Sequence, residues 1–197
     1  MSEPWLVIGL GNPGPKYAYN RHNVGYLVVG ELLARARASL TKHKSGASVA
    51  DVRLGLGPGG APGPRAILAI TNTYMNVSGA PVRSLTDFYS VGPERLLVVH
   101  DELDLPAHTL RLKRGGGEGG HNGLKSITQH VGTREYGRLR VGIDRPPGRM
   151  DPAAYVLQDF PAGQREDWGV SVAQAADVVE DVAGAGFEAA QMRLHSA

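Results

Sequence analysis

Apolar positions along this chain fall into two spacings. Trp5 to Leu10 is a short apolar run, as expected of a strand buried on both faces. From Val24 to Ala38 the spacing becomes helical. Leu27, Val28, Leu32 and Ala36 share one side, with Asn23 placed as the N-cap. Val49 to Leu54 alternates apolar residues with Asp51 and Arg53, which predicts a half-exposed strand. Gly55 to Pro64 reads as a floppy hairpin loop, and Ala66 to Ile70 as the next strand. A helix follows with Ser78 as its cap, Pro81 in its first turn, and Val82, Leu85 and Phe88 facing inward.

Leu96 to Val99 is a buried strand that ends in His100-Asp101-Glu102. Thr109 to Arg114 sets Leu110 and Leu112 against Arg111 and Lys113. After the glycine run 115–120, Asn122 to Val131 is helical, with Leu124, Ile127 and Val131 on one stripe. Arg138 to Ile143 alternates Arg138 and Arg140 with Leu139, Val141 and Ile143. Asp144 to Met150 is a turn-rich loop. The remainder is helical through Trp168, Val172, Ala176 and Val179, with breaks at Gly184 and Gly186. Several strands follow one another without a helix between them. The fold class is therefore α/β: a single domain over residues 1–197, with a mixed parallel and antiparallel sheet and helices on both sides.

Composition adds exclusions. There is no Cys, which rules out disulfides, thiolate nucleophiles and Cys-based zinc sites. No apolar run approaches the roughly 20 residues that span a bilayer, and Met1-Ser2-Glu3-Pro4 does not read as a secretory leader. Residues 1–103 carry ten cations against seven anions, residues 104–145 eight against four, and residues 146–197 three against eight. A basic middle beside an acidic end points to one face that meets a polyanion.

Gly9, Gly11 and Gly14 match G-x-G-x-x-G after a strand. However, Pro13 and Pro15 remove amide donors, several polar residues precede the helix, and the fingerprint's acidic residue is missing. The 115–120 run is no P-loop, because His121 stands where Lys is required. His100, His108, His121 and His130 lack metal-ligand spacing, so no metal and no cofactor are expected.

His22 and Asp101 make a stronger pair. Asp101 lies just past a buried strand and His22 follows the loop after the first strand, at the ends where parallel strands gather functional groups. A carboxylate on one imidazole nitrogen fixes the tautomer and makes the other nitrogen a base. With no Cys and no G-x-S-x-G elbow, the nucleophile is water. Asn12, Asn76 and Asn122 at loop mouths can supply neutral donors to a carbonyl and its developing oxyanion. Arg111 and Lys113 stand about 7 Å apart along one strand face, a spacing that grips phosphate. The alternative for these two is a charged edge that resists aggregation.

At these residues the chain resembles the bacterial peptidyl-tRNA hydrolases. The matching segments are 9–14, Arg21-His22-Asn23-Val24-Gly25, 73–79, 100–106, 119–127 and 138–143. The resemblance implies an α/β hydrolase, monomeric and cytoplasmic, that cleaves the ester joining a peptide to the terminal ribose of tRNA and so recycles tRNA from aborted translation. It makes His22 the catalytic base and Asp101 its orienting carboxylate. It has Asn12 and Asn76 hold the peptide and the water, and places Asn122 at the peptide backbone and oxyanion. Tyr17, Asn23 and Met75 join the substrate-binding set. Arg111, Lys113, His121, Lys125 and Arg140 form the tRNA-binding set.

The departures are Thr71-Asn72, where the family usually reads Lys-Pro, so a looser loop before Asn76 is expected. Glu118 sits beside the basic residues, and His108 has no assigned role. The rival readings are a non-catalytic RNA-binding relative, a nucleotide-cofactor enzyme using the Gly9–Gly14 loop, and a serine-type esterase.

Overall fold

A computed structural model describes residues 3–197. One seven-stranded sheet holds β1 (Trp5–Gly9), β2 (Thr41–Lys42), β3 (Ala47–Arg53), β4 (Arg65–Thr71), β5 (Leu96–Glu102), β6 (Leu110–Arg114) and β7 (Gly137–Gly142). Their spatial order is β2-β3-β4-β1-β5-β7-β6. The central strands β4, β1, β5 and β7 are parallel, and both flanks are antiparallel. The sheet is therefore mixed, as the strand sequence predicted. Among the described residues there are six α-helices: α1 (Val24–Ala36), α2 (Gly79–Tyr89), α3 (Asn122–Val131), α4 (Pro152–Val156), α5 (Arg165–Ala185) and α6 (Phe187–Ser196).

Alternation along the strands feeds two cores. Val7, Leu97, Val99 and Leu139 pack with residues of α1, α5 and α6. Leu6, Ile8, Leu96 and Val98 pack with residues of α2 and α3. The parallel strands all point their C-terminal ends the same way. The loops after β1, β4 and β5 thus meet at one edge, where the strand order reverses about β1.

Two glycines set how close α1 comes to that edge. A Cβ on Gly9 would overlap the Gly25 carbonyl, and a Cβ on Gly25 would overlap the Val99 carbonyl and the Leu10 amide. Helix and strands touch backbone to backbone there, which only residues without side chains permit. The short 3-10 turn Arg21–Asn23 at the head of α1 is thereby held against the end of β5.

Several expectations need correction. Asn23 and Ser78 do not cap their helices; Ser78 Oγ donates to the Met75 carbonyl at 2.7 Å. Phe88 is about half exposed rather than inward. Gly184 lies inside α5, and the break falls at Gly186, whose φ of 94° suits glycine alone. The 55–64 loop is a hydrogen-bonded hairpin end, with Gly57 N donating to Ala61 O at 2.6 Å and Leu54 N to Pro64 O at 2.9 Å. Arg138, which alternates with the apolar residues of β7, is itself buried. Its guanidinium donates to the carbonyls of Gly117 (2.6 Å), Gly116 (3.0 Å) and Arg134 (3.4 Å), so a cation fixes the glycine run. His108 gains a structural role: Nδ1 meets Ser171 Oγ at 2.6 Å and its ring lies against Trp168.

Gly25→Ala should cost about 1–3 kcal/mol by overpacking. A melting temperature lowered by about 2–12 °C in calorimetry is expected. An unchanged value would show that α1 can move off the sheet without cost.

Candidate active site

Asp101 is the penultimate residue of β5, its side chain 2% exposed. His22 Nδ1 lies across the carboxylate, 2.9 Å from Oδ2 and 3.0 Å from Oδ1. His121 Nε2 approaches Oδ1 from the other side at 2.9 Å. Burial pushes Asp101 up, but His22 and His121 outweigh it and hold the carboxyl well below the usual carboxylate range. Burial likewise opposes a charge on His22, and the Asp101 carboxylate overcomes it, raising the imidazole above 6.5. Behind the pair, burial pushes His100 down to about 3, and its Nδ1–H donates to the Asp101 carbonyl at 2.8 Å.

The asparagines divide into two kinds. Asn23 is buried, and both of its amide atoms are spent on Asn12: Oδ1 accepts Asn12 N–H and Nδ2 donates to Asn12 O, each at 2.9 Å. It braces the loop and does not reach the cleft, a correction to its expected substrate contact. Asn12 Oδ1 accepts the Met75 N–H at 2.7 Å, which leaves its NH2 group as donor. Asn76 and Asn122 are exposed, Asn76 in the turn after β4 and Asn122 at the start of α3.

Two cavities meet at His22 and Asn122 beneath Ala153 and Val156 of α4. One, about 380 Å³, includes the ionisable side chains of Asp101, His121, Glu102 and Arg145. The other, about 390 Å³, has an apolar wall of Tyr17, Tyr74, Met75 and Leu157, with Asn12 and Asn76. Tyr74, which the sequence reading passed over, meets Tyr17 edge to face at 6.4 Å. Its only signal was its place beside Met75 and Asn76. The roof is stitched to the segment bearing His22. Asn20 Nδ2 donates to Asp159 Oδ1 at 2.6 Å, Arg21 N to Gln158 O at 3.1 Å, and the Arg21 guanidinium lies 4.1 Å over the Tyr155 ring.

Arg111 stands directly opposite Arg140 across β6 and β7, and Lys113 opposite Arg138, so four cations share one sheet face. Glu102 accepts from Arg140 Nε at 3.0 Å and Glu118 from Arg134 Nε at 3.1 Å, so Glu118 is matched by its own arginine. Lys125 is exposed on α3. His121 is drawn inward to Asp101, away from these cations. The loop before Asn76 is pinned rather than loose: Asn72 Nδ2 donates to Ser48 Oγ at 2.7 Å and Asn72 N to Gly46 O at 3.2 Å. The glycines 9–14 lead into a 3-10 turn, Pro15–Tyr17, so no helix opens on them.

A family model described as peptidyl-tRNA hydrolase matches residues 6–197. The chain belongs to this family. A peptidyl-tRNA hydrolase of Kineococcus radiotolerans is 56% identical, covering 100% of this chain and 99% of that one. One from Frankia alni is 54% identical over 98% and 94%. The crystal structure of the peptidyl-tRNA hydrolase from Acinetobacter baumannii superposes with a TM-score of 0.84 at 33% identity, covering 98% and 95%. As a family member the chain is an enzyme that hydrolyses peptidyl-tRNA. Among the described residues, no helix is long and apolar enough to cross a membrane.

If His22 is the base, it works only with Nε2 unprotonated, and its ionisation is raised above 6.5. The kcat/KM profile should therefore fall about tenfold per pH unit on the acid side, from a midpoint above that value. A profile still flat at pH 5.5 would remove His22 from the role.

Proposed function

We propose that His22, oriented by Asp101, takes a proton from a water that attacks the carbonyl of the ester between peptide and terminal ribose. The observation that carries this reading is the His22–Asp101 contact at 2.9 Å, opening where the two cavities meet. With Nδ1–H donated to Asp101, Nε2 is the free acceptor. The Asn122 amide, which lines both cavities, donates to the oxyanion as the tetrahedral centre forms. Asn76 and the NH2 of Asn12 hold the peptide carbonyl or the water. The proton on His22 passes to the ribose oxygen as the ester bond breaks. Tyr17 and Met75 line the peptide side.

Lys113, Arg111, Arg140 and Lys125 are proposed to receive tRNA phosphates. Like charges directly opposite across strands repel, and a phosphate between them relieves that repulsion. The reading is metal-free, since a proton on each bridging nitrogen satisfies the pair of imidazoles on Asp101. From the family resemblance, the enzyme is proposed to act as a monomer in the cytoplasm.

Release of tRNA from N-acetyl-aminoacyl-tRNA, run beside unblocked aminoacyl-tRNA, tests the reading. The wild type should cleave only the blocked substrate, and His22→Ala should lose about 100- to 10,000-fold in kcat. Binding without cleavage by the wild type would favour a non-catalytic RNA-binding protein. Arg111→Ala should raise KM, spare kcat and reduce the salt slope by about one. An unchanged slope would sink the phosphate contact.

A further inference from the structure

His121 uses both of its ring nitrogens. Nδ1 accepts the backbone N–H groups of Gly123 at 3.1 Å and Leu124 at 3.4 Å, closing the N-terminus of α3. A nitrogen that accepts carries no proton, so the hydrogen sits on Nε2. That N–H points at Asp101 Oδ1, 2.9 Å away.

We propose that His121 is a positioning residue for ester hydrolysis, locking the Asp101 carboxylate against His22 and tying it to the first turn of α3, where Asn122 stands. The inference rests on His22 being the base. The Asp101 carboxylate can rotate about its last bond. A donor on Oδ1 stops it in the orientation that lays both oxygens on His22 Nδ1. The same donor draws charge from the carboxylate, so Asp101 supports a protonated His22 less strongly than a bare carboxylate would. The base, its carboxylate and the oxyanion donor then form one mechanical unit through a single ring. The charged and titratable groups facing this unit are His22 at the head of α1, Asp101, His100 and Glu102 on β5, and Arg145 and Asp151 across the 380 Å³ cavity.

Two variants separate the ring's two duties. In His121→Asn the side-chain oxygen falls where Nδ1 stands, which keeps the helix cap and removes the donor to Asp101. In His121→Gln the amide nitrogen reaches the place of Nε2, which keeps the donor and removes the cap. The Asn variant should hold its melting temperature within about 2 °C. Its kcat should fall about tenfold, with KM for peptidyl-tRNA nearly unchanged and the acid limb of kcat/KM moved to higher pH. The Gln variant should recover most of that kcat while melting about 2–4 °C lower. An Asn variant with wild-type kcat overturns the proposal, as does a loss confined to KM, which would make His121 a tRNA contact. His22→Ala run alongside separates the two levels. If it stays active, the base assignment fails and the inference with it. If it is inactive while His121→Asn is normal, only the positioning role fails.

Discussion

A carboxylate buried as deeply as Asp101 stays charged only while donors surround it. That requirement organises the chain. It brings His22 from the head of α1 and His121 from the head of α3 onto one side chain at the end of β5. Each imidazole comes from a different layer, so the charge joins the two helical faces of the sheet. The Gly9–Gly25 contact then has a clear purpose: without backbone-to-backbone packing, α1 would stand too far from the sheet for His22 to reach the carboxylate.

The polar parts of the site are built by committing atoms away from the substrate. Asn23 spends its whole amide on Asn12, and Asn12 spends its oxygen on Met75. Neutral donors of known direction are left facing the cleft. This is preorganisation by backbone hydrogen bonds, not by charge. A row of cations lies on β6 and β7, where a long anionic substrate would reach them.

Much of this was legible in the residues. The apolar runs located the central strands, and the ends of β1 and β5 located His22 and Asp101. The recurring motifs identified the family. Three things were not legible, each for a physical reason. Arg138 alternates like a surface residue, and only the bend of the glycine run supplies the carbonyls that make its burial tolerable. Asn23 sits at a helix start and reads as a cap, because the Asn12 backbone that competes for its amide lies in a loop whose path the sequence does not reveal. His121 borders a basic segment, and its turn toward Asp101 depends on where α3 begins.

The seam between Asn20 or Arg21 and residues 155–160 closes over a sequence separation of up to 139 residues. Synthesis runs from the N-terminus, so the segment with the base emerges long before the partners that hold it. Asp101 comes second, and the roof over the cleft comes last. A growing copy of this enzyme is itself a peptidyl-tRNA. Its order of assembly keeps its own hydrolytic site unfinished until residues 155–160 have been made.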